Sequence, residues 1–366
     1  MNMRIDDICT YAPKSGIKAG DATKDGLYMF FTSSEDESKR YTDYQYDGEG
    51  IIMGTGGNAT LHYYNGKYAV STDCLVLNPD ERIRCKYLYY FFLANMPILE
   101  AGFKGAGLKH TNKRYIGSIT IPEIPSLKEQ DRVIITLDKI SSIINARKLE
   151  IAELDDLIEA RFIEMFGNLN PSWPTVAIGD LCTDTRTGPF GSALHHDEFV
   201  NDGIFVLGID NAVENRFSYN RMRYITEEKY QQLKRYTVRP GDVIITIMGT
   251  IGRSAVIPDD MPLAINTKHL ACLTPDYAKV DSIFLCSAFQ MHPDVRRQLT
   301  GNAKGAIMDG LNLGIIKGLK FQLPPLQKQK DFELFYAQVD KSKAVVQKAL
   351  DEAQLLFDSL MQQYFG

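Results

Sequence analysis

Several groups of residues in this 366-residue chain have the types and spacing that chemistry uses. His195-His196-Asp197 offers three metal-ligating side chains in a row. Adjacent ligands on regular backbone point in different directions, and no further partner stands at a useful spacing, so the segment reads as a polar loop. Gly54-Thr55-Gly56-Gly57-Asn58 could cradle a phosphate. It lacks the Lys-Ser/Thr of a P-loop, and so does the similar Gly249-Thr250-Ile251-Gly252. Both read as tight turns, where glycine supplies backbone freedom. Glu37–Lys39 and Glu227–Lys229 give Glu-x-Lys with no Pro-Asp close before them, and no Asn-Pro-Pro-aromatic segment occurs. The expectation is a chain that neither cuts nor methylates, with no cofactor, metal or small-molecule substrate.

What remains is positive charge with aromatic and amide neighbours. One cluster is Lys104, Lys109, His110, Thr111, Asn112, Lys113 and Arg114. A second runs through Arg216, Asn220, Arg221, Arg223, Lys229, Lys234, Arg235 and Arg239, interleaved with Phe217, Tyr219, Tyr224, Tyr230 and Tyr236. Arg186, Lys268 and Lys304 extend it. Lys and Arg hold phosphates, and Arg, Asn and Gln reach base edges, so both clusters are candidates for DNA contact. The net charge of −5 opposes this mildly, because phosphate neutralisation carries most DNA affinity. Weak DNA binding by the chain alone is the consequence. The alternative is a duplicated scaffold that binds other proteins.

The elements that position these clusters occur twice. GEGIIMGTGG at 48–57 answers GDVIITIMGTIG at 241–252. Ile5-Asp6-Asp7-Ile8-Cys9 answers Ile178-Gly179-Asp180-Leu181-Cys182, and Leu77-Asn78-Pro79 answers Leu273-Thr274-Pro275. Gly105-Ala106 and Asn112 answer Gly305-Ala306 and Asn312. Short β-branched runs flanked by glycine predict strands. Tyr87–Leu93 and Ile283–Phe289 read as short buried helices. After each sheet unit comes a proline-rich stop, Ile124-Pro125-Ser126-Leu127-Lys128-Glu129-Gln130 and Leu323-Pro324-Pro325-Leu326-Gln327-Lys328-Gln329, then a helical stretch ending in Phe-Gly.

Those stretches carry a seam. Leu137, Ile140, Ile144, Ile151, Leu154, Ile158 and Phe162 follow near-heptad steps in the first, with Arg147 on the seam. Phe335, Val339, Val346, Ala349, Ala353, Leu356 and Leu360 do so in the second, with Ser342 in the missing place. Such spacing predicts two long coiled-coil helices, each a rod of about 60 Å at 1.5 Å per residue. Two copies of one module suggest a pseudo-twofold molecule with antiparallel rods between sheet units.

This order of sheet unit, rod, sheet unit, rod resembles the specificity subunits of type I restriction-modification systems over nearly the whole chain. The residues that carry the resemblance are Thr187-Gly188-Pro189-Phe190-Gly191-Ser192, Gly241-Asp242-Val243-Ile244 with Gly249-Thr250-Ile251-Gly252, the proline-leucine-glutamine segments and the terminal Phe-Gly pairs. The first unit departs from the pattern: Ser15-Gly16 stands where Thr187-Gly188 does, without the following Pro-Phe-Gly. The resemblance implies an α+β fold, with target recognition domains at 1–120 and 169–322 and spacer helices at 121–168 and 323–366. It implies that the chain reads a bipartite sequence in double-stranded DNA and assembles methylation subunits and restriction subunits around itself.

The remaining features are bland. Cys9, Cys74, Cys85, Cys182, Cys272 and Cys286 form no Cys-x-x-Cys pair and read as buried thiols. No apolar run reaches membrane-spanning length and the N-terminus has no signal-peptide pattern, so a cytoplasmic location without membrane contact is expected.

Overall fold

The structure is a computed structural model that describes residues 3–105, 107–190, 193–301 and 311–366. The chain divides into two compact units, Met1–Leu149 with Gln347–Gly366, and Glu150–Val346. Both are α+β. The long helices Leu127–Phe166 and Leu326–Phe365, of 40 residues each, contribute one end to each unit.

Unit 1 contains β1 (Met3–Arg4), β2 (Cys9–Tyr11), β3 (Tyr28–Phe31), β4 (Arg40–Tyr41), β5 (Tyr46–Gly54), β6 (Leu61–Val70), β7 (Cys74–Pro79) and β8 (Thr120–Ile121). Six of them form one sheet in the order β2-β7-β5-β6-β3-β4, and β1 pairs with β8. The β3–β6 pairing is parallel and the rest are antiparallel. Unit 2 contains β9 (Thr175–Ala177), β10 (Cys182–Thr187), β11 (Ile204–Leu207), β12 (Tyr224–Ile225), β13 (Thr237–Val238), β14 (Val243–Thr246), β15 (Ser254–Val256), β16 (Ala264–Asn266), β17 (Leu270–Pro275) and β18 (Lys320–Gln322). Its sheets are β10-β17-β14-β15, β12-β11-β16-β13 and β18-β9.

The same pairings recur. β2-β7-β5-β6 matches β10-β17-β14-β15, and the parallel β3–β6 pair matches the parallel β11–β16 pair. The difference lies in one strand. β6 runs unbroken for ten residues and serves both halves of the unit 1 sheet. Its counterpart is interrupted between Val256 and Ala264, where Pro258 and Pro262 fall. Proline has no N–H for the ladder, so the strand becomes β15 and β16 in separate sheets.

Each unit buries a short helix, as the apolar runs predict. Cys85–Ala94 packs Leu88 and Phe92 among Ile51, Met53 and Leu77 of the sheet, Val133 and Leu137 of the first long helix, and Met361 and Phe365 of the second. The Tyr87 and Phe365 rings lie 5.1 Å apart. This is why the chain's last aromatic residue, which a sequence pattern leaves at a loose end, is buried. In unit 2, Ser282–Met291 packs Phe284, Leu285 and Phe289 with Ile245 and Leu273, and with Phe162, Phe166 and Phe332 from the long helices.

The proline-leucine-glutamine segments have a defined task. Gln130 and Gln329 are fully buried. The Gln130 Oε1 accepts from the Arg84 amide at 2.7 Å, while its Nε2 donates to the Arg82 and Pro125 carbonyls at 3.1 and 2.9 Å. The Gln329 Oε1 accepts from the Asp281 amide at 2.9 Å, and its Nε2 donates to the Lys279 and Pro324 carbonyls at 3.3 and 2.8 Å. Each glutamine thus ties the first turn of a long helix to the residue that opens the buried short helix. Backbone groups there have no helical partner, and an unpaired buried group costs about 1–3 kcal/mol.

The seam is close to the expected one. Leu137, Ile140, Ile144, Ile158, Phe162, Val339 and Val346 are buried, and Ile151, Leu154, Phe335 and Leu360 are half-buried. Two assignments need correcting. Leu356 is 52 % exposed, and Phe357 turns inward instead. Ser342 is exposed, and Lys343 fills the missing place. The seam steps from Val339 by four to Lys343 and by three to Val346; an apolar pattern passes over the charged residue that keeps the phase. In unit 2 the helices run antiparallel, since Asp155 meets Lys343 while Arg161 lies against the Phe335 ring.

Candidate nucleic-acid interface

In unit 1 two features that are far apart in sequence come together. The glycine loop after β5 lies against the Lys104–Thr111 segment. The Gly57 amide donates to the Lys109 carbonyl at 2.9 Å, and the Thr111 amide to the Thr55 carbonyl at 3.0 Å. Lys104 and His110 exchange both backbone hydrogen bonds at 3.0 Å. A Cβ on Gly56 would stand 3.2 Å from the His110 ring, and Gly57 has φ +81°, so close approach and a left-handed turn both call for glycine here. Ser33, just after β3, donates from its Oγ to the Gly56 carbonyl at 2.6 Å. The loop is a brace for a cationic segment: Lys104, Lys109 and His110 are exposed on it.

The rest of that cluster divides. Asn112 is a helix cap, its Oδ1 accepting from the Tyr115 amide at 3.1 Å. Asn312 caps the equivalent helix through the Ile315 amide at 2.9 Å. The Asn112 side-chain oxygen thus satisfies a helix N-terminus, while the residue itself stays exposed. Lys113 lies over the Tyr11 ring at 4.9 Å, and Arg114 is exposed.

In unit 2 the corresponding strand ends, those of β11, β14 and β16, carry the loops at 208–210, 247–252 and 267–269. Arg223 and Arg221 flank Asp210, at 2.5 and 3.8 Å. Burial first, then the Lys268 and Arg223 charges, depress the His269 pKa. Arg221 is exposed and held at φ +50°, an uncommon conformation for a residue with a side chain. The loop that carries it is braced by the fully buried Asn211. That side chain accepts from the Gly208 amide at 2.8 Å and donates to the Ser218 and Asn220 carbonyls at 2.8 and 3.1 Å. Sequence reasoning missed Asn211; its place in the Gly208-Ile209-Asp210-Asn211 turn that follows β11 was the available signal.

Other predicted contacts fall elsewhere. Arg186 needs correcting. Its guanidinium donates to the Thr237 carbonyl at 2.6 and 3.1 Å, to Thr274 at 2.9 Å, and to Asp184 and Asp242 at 2.8 and 2.6 Å. Asp242 is buried, so Arg186 is an internal counter-ion rather than a surface cation. Arg216 pairs with Asp340 at 3.5 Å, and Arg235 stacks on Tyr236 at 4.6 Å. Neither is brought into the Arg221–Lys268 group. Lys304 lies outside the described residues. His195-His196-Asp197 forms a short surface turn, in which Glu198 accepts from the His195 amide at 2.6 Å. Among the described residues no group of three or more His, Cys, Asp or Glu could hold a metal ion, and no helix is long and apolar enough to cross a membrane.

Two braced loop clusters, one per sheet unit, on a duplicated frame with long helices define a class of recognition scaffold. The profile of the family described as the type I restriction modification DNA specificity domain matches residues 1–154 and 171–352. The chain belongs to that family. It is similar to the type I restriction enzyme EcoBI specificity subunit of Escherichia coli, with 21 % identity over 87 % of this chain and 73 % of that one. It is also similar to the MjaVIII specificity subunit of Methanocaldococcus jannaschii, with 20 % identity over 76 % and 69 %. The fold matches the crystal structure of the type I restriction-modification S subunit from M. genitalium at a TM-score of 0.68, with 16 % identity, over 100 % of this chain and 96 % of that one.

Proposed function

We propose that this chain reads a split sequence in double-stranded DNA, one half-site per sheet unit, as the specificity subunit around which methylation subunits and restriction subunits assemble. Catalysis belongs to those partners. The observation that supports it most is the repeated site: each unit gathers cations beside equivalent strand ends, Lys104 and Lys109 on the segment that the loop after β5 braces in one, and Arg221 and Arg223 between β11 and β12 with Lys268 just after β16 in the other. Lys and Arg at such loops neutralise phosphates and bring their neighbours to base edges. The long helices support the assembly role. Ile135, Ile143, Leu149, Leu157 and Ile163 are exposed on the first, and Leu334, Val345, Leu355 and Leu356 on the second. Apolar residues in that number on exposed helix faces fit packing by partner helices.

The test uses the chain with its methylation subunit, a duplex carrying the target, and a salt titration. Replacing Lys104 and Lys109 with alanine removes two cations from one site, and replacing Arg221 and Lys268 removes two from the other. Each pair should lower the salt slope of binding by about two units, at roughly 0.9 per phosphate contact. Each should also relax methylation at one half-site only. Unchanged slope and unchanged methylated motif in both variants would place the DNA face elsewhere.

A further inference from the structure

The duplication supplies an internal control for the long helices. Leu127 answers Leu326 and Gly167 answers Gly366, a constant offset of 199 residues. By that offset Lys343 answers Ile144, and Asp155 answers Gln354. Lys343 is 8 % exposed, and Ile144 at the equivalent place is 6 % exposed. One helix therefore buries an ammonium where its copy buries a branched hydrocarbon. The Lys343 Nζ donates to Asp155 Oδ1 inside unit 2.

A chain with two nearly matched amphipathic helices faces an ambiguity that a single-helix protein does not. The central helix of one copy can pair antiparallel with the central helix of a second copy, and likewise the C-terminal helices. Apolar seam positions do little to forbid this, because hydrophobic contact is non-directional. The charged pair disfavours it, mainly through the ammonium, since the Lys343 side chain is buried while that of Asp155 is 56 % exposed. In a central–central pair, Asp155 would face Ile144 twice. In a C-terminal–C-terminal pair, Lys343 would face Gln354 twice, and each seam ammonium would lose its carboxylate. Only the pairing of unlike helices joins Lys343 to Asp155. A buried charge without its partner is strongly disfavoured, and one polar seam residue is enough to select partners in coiled coils.

We propose that the Lys343–Asp155 pair makes the two long helices pair unlike with unlike, and that it disfavours like-with-like association between two copies of this chain. The pair works by penalising the wrong partner more than by strengthening the right one.

The test exchanges each residue for its internal counterpart in the full chain, Lys343→Ile with Asp155→Gln, so that the helices no longer differ there. Parent and variant are refolded from denaturant at the same high concentration and weighed by light scattering after size exclusion. The variant should give at least tenfold more dimer than the parent. An Ile151→Cys substitution, on the seam near the midpoint between residues 144 and 155, should then cross-link the variant to its own copy under mild oxidation. The exchanged pair Lys343→Glu with Asp155→Lys should return to the parent's dimer fraction. If Lys343→Ile/Asp155→Gln fails to refold, Lys343→Met is judged by the same dimer fraction. An unchanged dimer fraction in the refolded variant, or an exchanged pair that dimerises as strongly as the symmetric one, overturns the proposal. The readout is mass and cross-linking, so it stands apart from any DNA activity.

Discussion

Replacing Gln329 with leucine should destabilise unit 2 far more than an ordinary polar-to-apolar change in a core. Leucine fills similar space but can neither accept from the Asp281 amide nor donate to the Pro324 carbonyl, which Gln329 meets at 2.9 and 2.8 Å. The third bond, to the Lys279 carbonyl, is longer at 3.3 Å and counts for less. Two buried backbone groups left unpaired cost about 1–3 kcal/mol each, so a loss of about 3 kcal/mol is expected. For a domain of this size 1 kcal/mol moves the melting temperature by about 2–4 °C, giving a drop of roughly 6–12 °C. Gln329→Glu sharpens the test. Its carboxylate can still accept from the Asp281 amide, but the other oxygen then faces two carbonyls. Burial and those carbonyls favour the protonated acid, raising the folded-state pKa. A raised pKa means stability that is present at low pH and lost as pH rises through the folded value. The glutamate variant should approach the parent near pH 4 and fall toward the leucine variant by pH 8. Calorimetry across that range decides it. A leucine variant melting within 1 °C of the parent would refute the lock, and so would a glutamate penalty that grows on acidification.

Asp281→Asn tests a neighbouring charge. Burial, reinforced by Glu333, raises the Asp281 pKa to about 6, while its carboxylate caps the short helix through the Phe284 amide at 2.8 Å. The stability of the protonated acid is lost as pH rises through about 6, so the asparagine variant should match the parent near pH 4 and melt higher at pH 7–8; equal melting temperatures at pH 8 would count against this. The long helices supply the other prediction. Matched seven-residue insertions, after Arg147 in the first and at the corresponding Val346 in the second, lengthen each rod by about 10 Å. If the helices set the gap between half-sites, the methylated motif should gain about three non-specific base pairs at 3.4 Å each with both half-sequences unchanged, as read by methylome sequencing.

The duplication, the short buried helices and the long helices were legible because each rests on local pattern: period, proline stops and repeated words. Side-chain duties resting on distant partners were not. Arg186 looked like a surface cation because Asp242, its buried counter-ion, lies 56 residues away. The capping duty of Asn112 is hard to see among its lysine neighbours, although its match to Asn312 hints at a structural duty common to both units. Lys343 escaped because an apolar seam search cannot register a buried charge whose partner lies on another helix. The pairing of the glycine loop with Lys104–Thr111 depends on a bridge between Gly56 and His110 that no local pattern encodes.

The uninterrupted β6 of unit 1 and the proline-split β15 and β16 of unit 2 have a consequence for how the units breathe. In unit 1 one strand is hydrogen-bonded to β5 along most of its length and to β3 near its end, so neither half of the sheet can open without loosening the backbone of the other. Among the described residues of unit 2 there is no such shared strand: β15 belongs to one ladder and β16 to another. Amide protection follows cooperative blocks of structure. Hydrogen exchange should therefore show the unit 1 sheet amides opening together, and the β11–β16 ladder, next to the Arg221 and Lys268 loops, opening independently of the β10-β17-β14-β15 ladder.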